Sequence, residues 1–214
     1  MDGNGRWASQ NNLSKKLGHE AGINNCINIC KNLNKINYKI NELSFYVFST
    51  ENWKRKPNEI RDLFNLINQF YLKFSKVAND ENLVIRHCGT KEKLSKNLIK
   101  IIEDVTYQTK NNTGTFINLM FNYGYRKEIN DAIKKIFAEK TLKKDFRSYL
   151  YLPSSKDPDL IIRTGGEKRL SNFLLWQSAY AELYFTNTLW PEFKFSNLNR
   201  ALDSFYKRKR NYGK

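Results

Sequence analysis

The sequence predicts an α/β fold, an open, mainly parallel sheet of about five to six strands with helices on both faces. Short apolar runs of strand length, 43–48, 83–87, 115–121, 159–163 and 183–185, alternate with longer segments of helical periodicity. Polar clusters follow three of those runs: Ser49 to Trp53, Asn122 to Gly124, and Arg163 to Gly166. Ligands of open parallel sheets bind beyond the carboxyl ends of the strands, so these clusters are the expected site.

The first helix covers 19–33, with Ile23, Cys26, Ile27 and Cys30 on one face. A second covers 58–77, where Ile60, Leu63, Phe64, Ile67, Phe70, Tyr71 and Phe74 keep the i, i+3, i+4, i+7 spacing of a buried stripe. Further helices are expected over 91–107, 126–137, 171–181 and 197–209. There is no repeat and no linker, so 1–214 reads as a single domain; the loosest connection is 142–158.

Lysine and arginine number 37 against 21 acidic residues. The lysines are spread along the chain, and neither zinc-finger spacing nor an RNP-type aromatic motif is present, so nucleic acid is not the expected partner. No run approaches the roughly 18 apolar residues that suggest a membrane helix, and the start lacks the apolar segment of a signal peptide. Cys26, Cys30 and Cys88 form no C-x-x-C pair. The expectation is a reduced cytoplasmic protein without structural zinc or disulfides.

Asp2, Gly3, Asn4, Gly5 and Arg6 place a carboxylate, two glycines, an amide and a guanidinium together. The glycines let backbone N–H groups approach a ligand, and with Arg6 at a helix start they suit a diphosphate. Asp2 would repel that anion unless a divalent cation lies between them, and Mg²⁺ binds one or two carboxylates plus phosphates. A dinucleotide-type match and a plain glycine turn are the competing readings. A second cluster runs from Arg163 through Gly165, Gly166 and Arg169 to Ser171, with Ser171 read as the cap of a helix. Its guanidiniums, hydroxyl and free N–H groups form a second anion site. Glu182 stands inside the apolar run 180–185, where a carboxylate needs a partner or a metal.

These blocks, together with Gly18 and His19, Phe48 to Trp53, Arg169 to Gln177, Ala179 to Phe185 and Leu189 to Pro191, resemble the cis-prenyltransferase family of undecaprenyl diphosphate synthases over nearly the whole chain. The resemblance implies successive condensation of isopentenyl diphosphate onto an allylic diphosphate such as farnesyl diphosphate. The product would be a long cis-polyprenyl diphosphate, of undecaprenyl length for a cell-wall lipid carrier. It also implies Mg²⁺, a homodimer, and a cytoplasmic enzyme touching the membrane through its product. An accessory subunit of the same fold and a shorter product are the alternatives.

By motif position, Asp2, Asn4 and His19 resemble the catalytic polar residues, Asp2 the metal-linked aspartate, and Glu182 a carboxylate that helps hold Mg²⁺ near the dimer interface. Gly3, Gly5 and Arg6 match the allylic diphosphate cradle; Trp7 counts with the substrate-binding residues, and Lys15 stands where a diphosphate-contacting arginine is usual. Arg163, Arg169 and Ser171 match the isopentenyl diphosphate clamp. Ser49, Glu51, Asn52, Trp53 and Arg55 match the wall beside the reacting carbons. Phe48, Ile23, Leu63, Ile67 and Ile117 are the expected walls of a hydrophobic tunnel for the growing chain. The family usually has an apolar strand before its Met-Asp-Gly block, whereas this sequence begins at Met1, so either the true start lies upstream or the first strand is missing from this chain.

Overall fold

The computed structural model describes residues 1–140 and 145–211. Five parallel strands and six α-helices are present among them. They are α1 (Asn4–Gln10), α2 (Lys15–Lys31), β1 (Glu42–Ser49), α3 (Pro57–Asp80), β2 (Val84–Cys88), α4 (Lys96–Gln108), β3 (Phe116–Tyr123), α5 (Tyr125–Glu139), β4 (Leu160–Arg163), β5 (Glu182–Phe185) and α6 (Phe195–Tyr206).

The strands make two sheets rather than one. β3 lies between β1 and β2, and β4 pairs only with β5. Among the described residues, the outer edges of β1 and β4 have no strand partner. Met1 packs into the core cluster shared by β1 and β4 residues such as Phe45 and Ile162.

Helix starts follow from local chemistry. Ser14 and Ser95 accept from the N–H groups of Leu17 and Leu98, and Pro57 opens α3 where its missing N–H is harmless. The α3 stripe is buried as its spacing predicts, with Ile67 and Phe74 fully enclosed.

One expected helix is absent. Residues 171–181 form a series of turns, because Ser171, Asn172 and Leu174 all adopt left-handed backbone (φ 50°, 65° and 45°). Left-handed non-glycine residues break a helix and persist only when their surroundings hold them. Here the buried Glu128 carboxylate accepts from the Tyr123 hydroxyl at 2.7 Å and the Gln177 amide at 3.1 Å, tying the segment to β3 and α5. In the loose connection 142–158, residues 142–144 lie outside the described residues.

Candidate active site

The site lies where α1 meets the carboxyl ends of β1 and β4. Gly3 starts α1 with φ 108°, and a Cβ there would stand 2.8 Å from the Leu189 side chain, so only glycine fits. The N–H groups of Asn4, Gly5 and Arg6 have no acceptor among the described residues, as expected for a helix start. Nothing lies within 4 Å of where a Gly5 Cβ would project, which leaves that face of the cradle open.

Two glycines of α2 admit α1. A Cβ on Gly18 would come within 2.4 Å of the Asn4 carbonyl, and one on Gly22 within 2.3 Å of Asn4 Oδ1. Asn4 Oδ1 is buried against α2 without a hydrogen-bond partner. Trp7 donates its indole N–H to Glu192 at 3.1 Å.

Asp2 is fixed to the loop after β4. Its N–H donates to Thr164 Oγ1 at 2.9 Å, and its carbonyl accepts from Thr164 Oγ1 at 2.9 Å and from the Trp190 N–H at 3.0 Å. Its carboxylate accepts from Arg163 at 2.9 Å and lies 3.5 Å from Arg6. Burial alone would raise the Asp2 pKa; the Arg163 hydrogen bond, the Arg163 and Arg6 charges and the Gly3 N–H together hold it below the usual carboxylate value. Arg6 also donates to the Gly165 carbonyl at 2.6 Å.

Arg163 is the hub of the second cluster. Besides Asp2, it donates to Ser171 Oγ at 2.8 Å and to the Arg169 carbonyl. Its Nε is buried without a partner. The Arg169 guanidinium pairs with Glu167 and is exposed. The glycine N–H groups expected to be free are not: Gly165 donates to the Thr188 carbonyl at 2.9 Å and Gly166 to that of Thr186 at 2.8 Å. That leaves side chains as the groups here able to meet an anion. Beside the glycines, Arg6, Gly165, Asn187, Thr188 and Glu192 help line a cavity of about 470 Å³.

A short 3-10 turn, Thr50–Lys54, brings the β1 cluster to the same end. Asn52 Oδ1 accepts from the Ser49 N–H at 3.0 Å, and Trp53 donates to Asn122 Oδ1 at 2.8 Å. Arg55 pairs with Glu59 at 3.1 Å. His19 is half-buried among Arg55, Glu59 and Lys15; burial and then the Arg55 charge push its pKa below 6.5, with Glu59 opposing and Lys15 adding to the fall. Lys15 itself is exposed.

Among the described residues, the expected tunnel walls and Glu182 make no polar contact with Asp2, although Phe48 packs edge-on against Trp53 with ring centroids 5.5 Å apart. Phe48, Leu63, Ile67 and Ile117 are enclosed side chains of the core with Ile23 packed against them. The groove between α2 and α3, about 460 Å³, is lined instead by Lys16, Glu20, Asp62, Asn65, Leu66, Asn68 and Gln69. Glu182 is not brought to Asp2. It pairs with Arg208 at 2.6 Å at the start of β5, while Arg163 is registered with Phe185 at the strand's end. At the rise of a β-strand, that places the two roughly 10 Å apart along the strand.

Among the described residues no cluster of three or more ligating side chains would cage a metal. Asp2 alone fits the lesser demand of Mg²⁺, which takes one or two carboxylates and completes its shell with phosphates and water. Thr164, Asn122, Asn172 and Trp190 were not singled out as site residues from sequence. Thr164 sits inside the Arg-Thr-Gly-Gly block and Asn122 in the polar cluster after β3, which were the available signals.

A family model described as "Putative undecaprenyl diphosphate synthase" matches residues 1–213. An isoprenyl transferase of Treponema denticola is 45% identical over 216 residues, covering 100% of this chain and 94% of that protein. One of Thermotoga maritima is 42% identical over 220 residues, with 100% and 94% covered. Among solved structures, lavandulyl diphosphate synthase from Lavandula x intermedia, in complex with dimethylallyl diphosphate, superposes with a TM-score of 0.92 at 30% identity, covering 100% of this chain and 95% of that one. A "probable undecaprenyl diphosphate synthase" from Campylobacter jejuni gives 0.77 at 34% identity, with 90% of each chain covered.

Proposed function

The chain belongs to the prenyltransferase family of undecaprenyl diphosphate synthases, and from that premise we propose that it condenses isopentenyl diphosphate repeatedly onto farnesyl diphosphate. The product in this reading is undecaprenyl diphosphate, the lipid carrier of cell-wall sugars. A homodimer in the cytoplasm, meeting the membrane through that product, is part of the same proposal. The observation that carries it is the reach of Arg163, whose guanidinium touches Asp2 on one side and Ser171 on the other.

The allylic diphosphate lies against the open N–H groups of Asn4, Gly5 and Arg6, with the Arg6 guanidinium beside it. Isopentenyl diphosphate lies against Arg163, Arg169 and Ser171, and Arg169 exchanges Glu167 for phosphate. Mg²⁺ held at Asp2, when bound, would neutralise charge on the leaving diphosphate. Arg6 and Arg163 add fixed positive charge as allylic cation character develops and the bond to oxygen breaks. The alkene of the second substrate then forms the new carbon–carbon bond and a proton is lost. His19, whose lowered pKa favours the neutral imidazole, can accept that proton directly or through water. Trp53, anchored by Asn122, walls the reacting carbons.

Incubation with farnesyl diphosphate, labelled isopentenyl diphosphate and Mg²⁺, followed by extraction and sizing, tests this. Labelled polyprenyl product is expected; no extractable product sinks the reading. A shorter product is the second reading, favoured by the closed packing around Phe48, Leu63, Ile67 and Ile117, and the same sizing decides between them.

A further inference from the structure

Building on the prenyltransferase reading, we infer that Asn172 is a positioning residue that sets Glu51 and Ser171 in one geometry across the site. Three loops converge on it. Its Nδ2 donates to Glu51 Oε1 at 2.6 Å, in the turn after β1. Its Oδ1 accepts from the Arg126 N–H at 3.0 Å, and its carbonyl accepts from the Tyr125 N–H at 2.9 Å, both at the start of α5 after β3. Its chain neighbour Ser171 is held by Arg163, at the end of β4.

The backbone is arranged for this contact. Asn172 has φ 65°, a conformation that asparagine tolerates better than most residues. The space beside it is closed to any side chain at Gly124, where a Cβ would stand 2.8 Å from Asn172 Nδ2 and 2.4 Å from Thr50 Oγ1. Tyr46 completes the seat, its hydroxyl donating to the Ser171 carbonyl at 3.3 Å and its ring stacked on Phe173 at 4.6 Å.

Glu51 is an exposed carboxylate on a short turn, and Asn172 is the bond that ties it to the opposite sheet. A hydrogen bond to a charged group is about twice as strong as a neutral one and restricts direction as well as distance. Asn172 therefore aims the Glu51 carboxylate along the wall beside Ser171, where isopentenyl diphosphate is proposed to lie. The allylic side, at Asn4 to Arg6, makes no bond to Asn172 among the described residues.

The test is steady-state kinetics on the full chain with farnesyl diphosphate, isopentenyl diphosphate and Mg²⁺. Asn172→Gly keeps the left-handed backbone and removes both carboxamide bonds. Its KM for isopentenyl diphosphate should rise about 10- to 100-fold, the scale of a lost hydrogen bond to a charge, with the farnesyl diphosphate KM unchanged. Asn172→Asp retains the acceptor for Arg126 but turns a carboxylate on Glu51, and should raise the same KM. Glu51→Gln alone removes the carboxylate that Asn172 holds and should raise the same KM, and adding Asn172→Gly to it should raise that KM little further, because the two act through one bond. A structural role alone predicts a lower melting midpoint and a similar change in the KM of both substrates. Unchanged KM in Asn172→Gly, or losses that simply add in the double variant, overturns the positioning role while wild-type turnover upholds the activity. Absence of turnover in the wild type overturns the activity and the positioning role together.

Discussion

Asp2 and Arg163, 161 positions apart in the chain, meet at 2.9 Å. The pair joins the loop before α1 to the end of β4 and leaves two of the arginine's other bonds on Ser171 and the Arg169 carbonyl. The same guanidinium thus faces both proposed diphosphate sites.

Replacing Arg163 with alanine should act on both. The KM for isopentenyl diphosphate should rise about 10- to 100-fold, as for loss of a charge-assisted bond. The Asp2 carboxyl is depressed in the folded chain, so its stabilising contribution is present above the unfolded carboxylate pKa and disappears as pH falls through the folded one. Without Arg163, burial is opposed by less, the folded pKa rises, and the acid limb of the pH–rate profile should move to higher pH. A limb that stays in place refutes the coupling.

Asp2→Asn should lower turnover on the order of 100-fold or more, the scale of removing one preorganised electrostatic contact. Titration with Mg²⁺ should not restore it. Glu182→Gln should leave the Mg²⁺ concentration for half-maximal rate unchanged, because Glu182 is engaged by Arg208 at the far end of β5. A shifted Mg²⁺ response in Glu182→Gln would contradict that assignment.

The glycines of α1 and α2 should separate by phenotype. Gly18→Ala drives a methyl into the Asn4 carbonyl and Ala8 Cβ, and should cost about 1–3 kcal/mol in thermal or denaturant unfolding. Gly5→Ala meets no neighbour and should leave the melting midpoint in place while raising the KM for farnesyl diphosphate. Equal melting midpoints for the two variants would refute the close approach of α1 to α2.

His19→Gln should lower kcat about 10- to 100-fold and remove an inflexion below pH 6.5 in its pH profile, if the imidazole takes the proton. A retained inflexion would assign it to another group.

Acid should also weaken the fold through His87. Its Nε2 is enclosed without a partner, and burial first, with the Lys91 charge, brings its pKa down to about 4. The unfolded chain therefore takes up this proton first, and stability should fall by about 2–3 kcal/mol as pH drops from 6.5 to the folded value. His87→Phe should flatten that slope in denaturant unfolding at several pH values.

The alternation of α3's stripe with strands such as β3 was legible because core-facing side chains impose their period on the sequence. The failure at 171–181 has a physical cause. Its apolar spacing suits a helix, but Glu128, Arg163 and the α5 start recruit Gln177, Ser171 and Asn172 from outside the segment. The same holds for Gly165 and Gly166: a double glycine announces unusual backbone, but their donors answer to Thr186 and Thr188, whose position depends on β5. Glu182 shows the limit of motif reading within one chain. Its unusual setting was visible in sequence, while its partner Arg208 was fixed only by folding.

The separation of β4 and β5 from the three-stranded sheet gives the site a mechanical character. One jaw carries Arg163 and Ser171, the other Glu51 and Trp53, and among the described residues no strand ladder crosses between them. The two jaws are joined instead by the Asn172–Glu51 bond and by the Tyr125 N–H on the Asn172 carbonyl. In the proposed reaction, a change at this one carboxamide would therefore alter the spacing of the two jaws without removing a rung from either sheet.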